Sequence, residues 1–177
     1  MKYVGKMILV VFGGLMTIPL LHATPSVKVG DMAPDFSLKD DQGNVRTLSE
    51  FKGKKVALYF YPKDETPGCT EQACSIRDGF KVLQEKGIVV LGVSFDSVES
   101  HKTFKEKHNL PFPLLSDSTK DVAKSYGAVG WFIFYSPVAS RMTFLIDEQG
   151  KIIKILNKVN VSEHADEIIK AFENPGA

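Results

Sequence analysis

Two stretches of consecutive apolar residues stand out along the chain: Val56-Ala57-Leu58-Tyr59-Phe60, and Ile88-Val89-Val90-Leu91-Gly92-Val93-Ser94-Phe95. Neither alternates with polar residues, so each predicts a central strand covered on both faces. Between them Ala73, Ile76, Phe80 and Leu83 recur at spacings of three and four, the apolar stripe of a helix. That helix is expected from Pro67 to about Lys86, ending at the left-handed cap Gly87. Two strands joined by a helix of crossover length make a right-handed βαβ unit.

The flanking segments follow the same logic. Before the first strand, residues 27–36 read as an extended entry, and the runs at 36–38 and 45–48 flank a turn-rich Asp40-Asp41-Gln42-Gly43-Asn44, predicting an edge hairpin. After the second strand, Asp96-x-x-Glu99 reads as a capping box opening a helix to about Asn109, with His101, Phe104 and His108 on one face. Both histidines are expected to pack half-buried beside Phe104. Residues 110–115 contain two prolines, which limits them to a short edge strand. A short helix over 118–126 closes at Gly127, and strands over 141–147 and 151–158 form a hairpin around Glu148-Gln149-Gly150. Ser162 is the expected cap of a last helix, with His164 exposed in its first turn and Ala165, Ile168, Ile169 and Phe172 facing the sheet.

With 177 residues and 44% hydrophobic content, the chain holds enough apolar material for one core and too little length for two ordinary domains. Its start differs from the rest: Lys2 and Lys6 precede an apolar run over 7–21, and Leu21-His22-Ala23 offers a small residue before a cut. This pattern predicts a signal peptide over 1–23 and an exported, periplasmic domain over 24–177. The alternative is an uncleaved anchor that keeps the domain near the outer face of the inner membrane. Removing the leader leaves 20 of the 22 basic residues against 21 acidic ones, a net charge of −1. Scattered charge of that size argues against a nucleic-acid partner.

The chemistry centres on the only two cysteines, Cys69 and Cys74, in Pro62-Lys63-Asp64-Glu65-Thr66-Pro67-Gly68-Cys69-Thr70-Glu71-Gln72-Ala73-Cys74. Thr66-Pro67 is a helix start, because Thr can cap free amides and Pro loses no bond at the first helical position. Cys69 then lies in the first turn, where unpaired amides and the helix dipole stabilise a thiolate. In an unbroken helix the Cα atoms of Cys69 and Cys74 are about 8 to 9 Å apart, beyond the roughly 7 Å limit of a disulfide. A bond between them requires local unwinding, which suits a redox cycle better than a permanent staple. Two cysteines with no nearby histidine are too few ligands for zinc.

Pro62-x-x-x-Thr66-x-x-Cys69 resembles the active-site signature of the peroxiredoxins, and Cys74 at this spacing resembles the peroxiredoxin Q, or bacterioferritin comigratory protein, subgroup. Further matches are Val29-Gly30-Asp31-Met32-Ala33-Pro34-Asp35-Phe36, the segment from Asp96 to His101, Leu110-Pro111-Phe112-Pro113-Leu114-Leu115-Ser116-Asp117 and Arg141-Met142-Thr143-Phe144-Leu145-Ile146-Asp147. The resemblance implies an α/β, thioredoxin-like fold: a central mixed sheet flanked by helices, with the N-terminal hairpin added. It implies a peroxidase in which Cys69 attacks hydrogen peroxide or an organic hydroperoxide and Cys74 resolves the sulfenic acid. Thr66 and Arg141 would hold the peroxide, Pro62 would shield the thiolate, and a thioredoxin-like protein would reduce the disulfide. No cofactor is implied, and resolution within one chain leaves a monomer sufficient.

Other readings of the residues remain open. A thiol-disulfide relay protein would use two cysteines, although C-x4-C differs from the C-x2-C of that chemistry. A redox-sensing binding module would expose apolar surface when the helix opens. Trp131-Phe132-Ile133-Phe134-Tyr135 departs from the polar stretch of many relatives, and reads either as a buried element or as a patch for a partner, a membrane or a bulky hydroperoxide.

Overall fold

The computed structural model describes residues 27–132 and 136–176; the leader and residues 133–135 of the aromatic run lie outside the described residues. In chain order the elements are β1 (Ser37–Asp40), β2 (Val45–Thr47), β3 (Lys55–Phe60), α1 (Pro67–Asp78), α2 (Phe80–Glu85), β4 (Ile88–Ser94), α3 (Val98–His108), β5 (Leu114–Ser116), α4 (Asp121–Tyr126), β6 (Val129–Phe132), β7 (Ser136–Ala139), β8 (Met142–Ile146), β9 (Ile152–Leu156) and α5 (His164–Glu173). Seven strands form one mixed sheet in the order β2-β1-β5-β4-β3-β8-β9, and β6 pairs with β7 in a separate ribbon. The thioredoxin-like architecture and the added hairpin are therefore present.

The alternation of β3 divides the core. Val56, Leu58 and Phe60 face one apolar cluster, which Phe36, Phe51, Tyr126, Ala139 and Phe144 complete. Ala57, Tyr59 and Tyr61 face the other, where Cys69, Ala73, Ile76, Leu83, Phe104 and Ile168 bring in α1, α2, α3 and α5. Each fully buried large side chain contributes about 1.5–3 kcal/mol. Parallel pairing to β4 and antiparallel pairing to β8 fix β3 on both edges, with Phe60 opposite Val93 and Met142. The C-terminal end of β3 is thereby a fixed point from which the loop into α1 departs.

Several expectations need correction. The helix over 67–86 is two helices, broken at Gly79, because α5 passes so close that a Cβ there would lie 2.5 Å from that of Ala165. Residues 114–116 form a short strand, but an internal one: β5 lies between β1 and β4, and both prolines precede its paired residues. Ser97, not Asp96, caps α3, accepting from the Ser100 amide at 3.2 Å. Asp96 is turned inward toward Ser94 and the amide of Asp64. Of the aromatic run, Trp131 and Phe132 pair with Pro137 and Ser136 in the β6–β7 ribbon.

The start of α5 also differs. Ser162 bonds Asn160 rather than capping the helix. His164, expected exposed, is buried: its Nε2 lies 2.9 Å from Thr143 Oγ1 and its Nδ1 3.1 Å from Glu167 Oε2. The segment ahead of α5 turns this side chain under the sheet, edge-on to Tyr59. Burial pushes the imidazole below its ordinary value of 6.5; the Glu167 carboxylate opposes that shift and Arg141 reinforces it.

Two outcomes follow for stability. Gly79→Ala should cost about 1–3 kcal/mol by overpacking against Ala165, and adding Ala165→Gly should recover much of it in chemical denaturation. The unfolded chain accepts a proton that buried His164 refuses, so this contribution is complete above pH 6.5 and is lost as pH falls toward the lower folded value. Unfolding free energies measured by chemical denaturation downward from pH 7.5 should show a slope of up to about 1.4 kcal/mol per pH unit that His164→Gln reduces.

Candidate active site

β3 ends at Phe60, and residues 61–66 turn the chain into α1. Thr66 occupies the cap position with extended backbone (φ −78°, ψ 145°), and its carbonyl accepts the amides of Cys69 and Thr70 at 3.1 and 2.9 Å. Its hydroxyl does not cap the helix. It donates to the carbonyl of Lys63 at 3.0 Å, closing the loop on itself. Pro67 takes the first helical position, and Cys69 follows in the first turn with 2% of its surface exposed.

Arg141, immediately before β8, reaches across to this turn. Its Nη2 donates to Cys69 Sγ at 3.3 Å, and its Nη1 donates to Gln72 Oε1. A permanent positive charge thus lies against a buried sulfur. Met142 pairs with Phe60 at the end of β3, so sheet register brings together residues far apart in the chain. Gln72 was not singled out from sequence; it is fully buried, and its Nε2 has no partner among the described residues. A glutamine on an otherwise apolar face, three residues after the cysteine, was the available signal.

Cys74 is half-buried in the same continuous helix, and both cysteines are free. Arg77, one turn further, holds Asp78 at 2.8 Å and donates to the His108 carbonyl at 2.9 Å, tying α1 to the end of α3. Its guanidinium is favoured first by Asp78 and, less strongly, by the neighbouring Cys74 sulfur, against the cost of burial. Pro62 follows β3 half-buried, and its shielding role rests on the resemblance.

The loop carries a polar cluster that sequence reasoning missed. His101 is wholly buried, not half-buried, with Nδ1 at 2.9 Å from Asp64 Oδ2 and 3.4 Å from the Tyr61 hydroxyl. Asp64 also accepts from Tyr61 at 2.7 Å and from Ser100 at 2.7 Å. His108 faces Glu65 at 3.5 Å. The partner of each histidine lies in the loop more than thirty residues earlier, so α3 alone gave no sign of it.

A family model described as AhpC/TSA matches residues 29–155. Peroxiredoxin Bcp of Bacillus subtilis is 43% identical over 155 residues, covering 84% of this chain and 97% of its own. Peroxiredoxin Q of wheat, Triticum aestivum, is 42% identical over 149 residues, covering 84% of this chain and 68% of its own. The crystal structure of peroxidoxin BcpB from Mycobacterium tuberculosis superposes with a TM-score of 0.76 at 34% identity, over 82% of this chain and 96% of that one. With a buried cysteine in a helix's first turn under an arginine, and with these relatives along most of its length, the chain belongs to the AhpC/TSA family of peroxiredoxins, in its Bcp/peroxiredoxin Q branch.

Proposed function

We propose that this thiol peroxidase works through Cys69 as the attacking group and Cys74 as the resolving one. The observation that carries the reading is the Arg141 guanidinium on Cys69 Sγ at 3.3 Å, in the first turn of α1. The thiolate attacks one peroxide oxygen and the O–O bond breaks. Cys69 becomes a sulfenic acid, and the departing oxygen takes up a proton and leaves as water or alcohol. Arg141 and the amides of the first turn stabilise the negative charge that builds on that oxygen. Thr66 holds the peroxide, and Pro62 limits the access of water. α1 then unwinds, Cys74 sulfur displaces the sulfenic oxygen as water, and the Cys69–Cys74 disulfide forms. A thioredoxin-like dithiol reduces it by exchange.

The leader over 1–23 supports an exported protein cut after Ala23, acting in the periplasm with an exported thioredoxin-like donor. An uncleaved leader would instead hold the enzyme at the outer face of the inner membrane. Because both cysteines sit in one helix, the cycle is complete in a monomer.

One equivalent of hydrogen peroxide added to the reduced chain should consume both thiols and give an internal Cys69–Cys74 bridge by mass spectrometry. In Cys74→Ser the reaction should stop at a sulfenic acid trapped by dimedone, with the first step retained; in Cys69→Ser it should not begin. Arg141→Met should slow the first step by about 10²-fold. A slow wild-type reaction, with exchange only against protein disulfides, would point to a thiol relay. Intact mass of the protein from periplasmic extract should place its first residue at Thr24, and a chain beginning at Met1 in the membrane fraction would establish the anchor.

A further inference from the structure

The peptide group between Lys63 and Asp64 makes one bond on each side. Its carbonyl accepts the Thr66 hydroxyl at 3.0 Å, and its N–H donates to Asp96 Oδ2 at 2.9 Å. A peptide is planar and turns as a unit, so freeing its N–H also moves its carbonyl. Asp96 is itself held: Ser94 Oγ donates to the same oxygen at 2.6 Å, and Ser116 Oγ donates to the Asp96 carbonyl at 2.6 Å. The Thr66 hydroxyl is therefore referenced, through one rigid plane, to the ends of β4 and β5.

The Asp64 side chain fastens the same plane from within. The side chain is 2% exposed, and its carboxylate takes Tyr61 on Oδ1 and both Ser100 and His101 on Oδ2. The next residue, Glu65, holds a left-handed backbone (φ 59°) that a non-glycine residue adopts at a cost. It is tied to α3 by Lys107 at 2.5 Å. A buried carboxylate is expensive to desolvate, and the gain in stability from such a cluster is small or negative against an apolar one. What this cluster does fix is the conformation of residues 63–66.

We propose that Asp64 and Asp96 are positioning residues of the peroxidase reaction: they clamp the 63–64 peptide so that the Lys63 carbonyl accepts the Thr66 hydroxyl's hydrogen bond and the Thr66 oxygen presents its lone pairs to the O–H of the peroxide. This rests on the reading of Thr66 as the group that holds the peroxide. Neither aspartate touches Cys69. Both act through the Thr66 rotamer.

The test compares two reactions of the same thiolate in the full chain, oxidation by hydrogen peroxide and alkylation by iodoacetamide, which attacks the sulfur without using Thr66. Asp96→Ala and Asp64→Asn should each lower the peroxide rate constant by tenfold or more and leave alkylation within twofold. Ser100→Ala, a milder change at one donor, should give a smaller loss of the same kind. Adding Asp96→Ala to Thr66→Val should produce no further loss, because both remove one function. Equal falls in both rates, or a peroxide rate unchanged in all three variants, would overturn the clamp while leaving the peroxidase reading intact. A wild-type chain no faster with peroxide than with iodoacetamide would instead overturn the peroxidase reading on which the clamp depends.

Discussion

The contact between Arg141 and the Cys69 sulfur depends on strand register. Arg141 stands one residue ahead of β8, whose first residue pairs with Phe60 at the end of β3, while Cys69 stands in the helix that β3 feeds. Both partners are thus measured from the same pair of strand ends. Side chains alternate between sheet faces, so a slip of one residue in the β3–β8 pairing would send Arg141 to the opposite face. The two apolar clusters make such a slip costly, since it would bring Phe144 and Ile146 out of one and Leu145 out of the other. The core thus acts on the chemistry by holding a register.

The helical face of the sheet serves the site in a second way. Tyr59 and Tyr61 lie stacked beneath α1, with ring centroids 5.4 Å apart, and Phe112 and His164 meet Tyr59 edge-on. This floor is shielded from solvent, with Tyr59 and Tyr61 each 1% exposed. Burial first, then the nearby Asp64 carboxylate and Cys69 sulfur, push the Tyr59 hydroxyl far above its usual range; it therefore stays neutral and adds no anion beside Cys69. α3 grips the unit at both ends, through Asp64 and Glu65 before the helix and Arg77 within it.

Much of this was legible from the chain alone, and the exceptions share a cause. β3, β4 and the placement of Cys69 in a first turn came from local pattern, because continuous apolar runs and Thr-Pro are signals complete within a few residues. Arg141 was different: by itself it reads as a solvated residue at a strand end, and only the resemblance placed it at the thiol. His101, His164 and the break at Gly79 were misread because their determinants lie far away: Asp64 for the first, Thr143 for the second and Ala165 for the third. A helical wheel shows which face a histidine occupies and not what a distant segment brings to it. Asp96 failed as a cap for a related reason, since the amide it serves belongs to another loop.

The orphaned amide of Gln72 has an effect on the equilibrium of its own helix. Gln72 lies between the two cysteines in the chain, fully buried, with Oε1 on Arg141 and Nε2 without a partner among the described residues. Winding α1 dehydrates that donor, a debit of about 1–3 kcal/mol set against the apolar contacts of Ala73 and Ile76. Unwinding returns the amide to water. The segment that must melt for the sulfurs to meet therefore carries its own lubricant, and its wound and unwound forms lie closer in free energy than its length and packing would otherwise set.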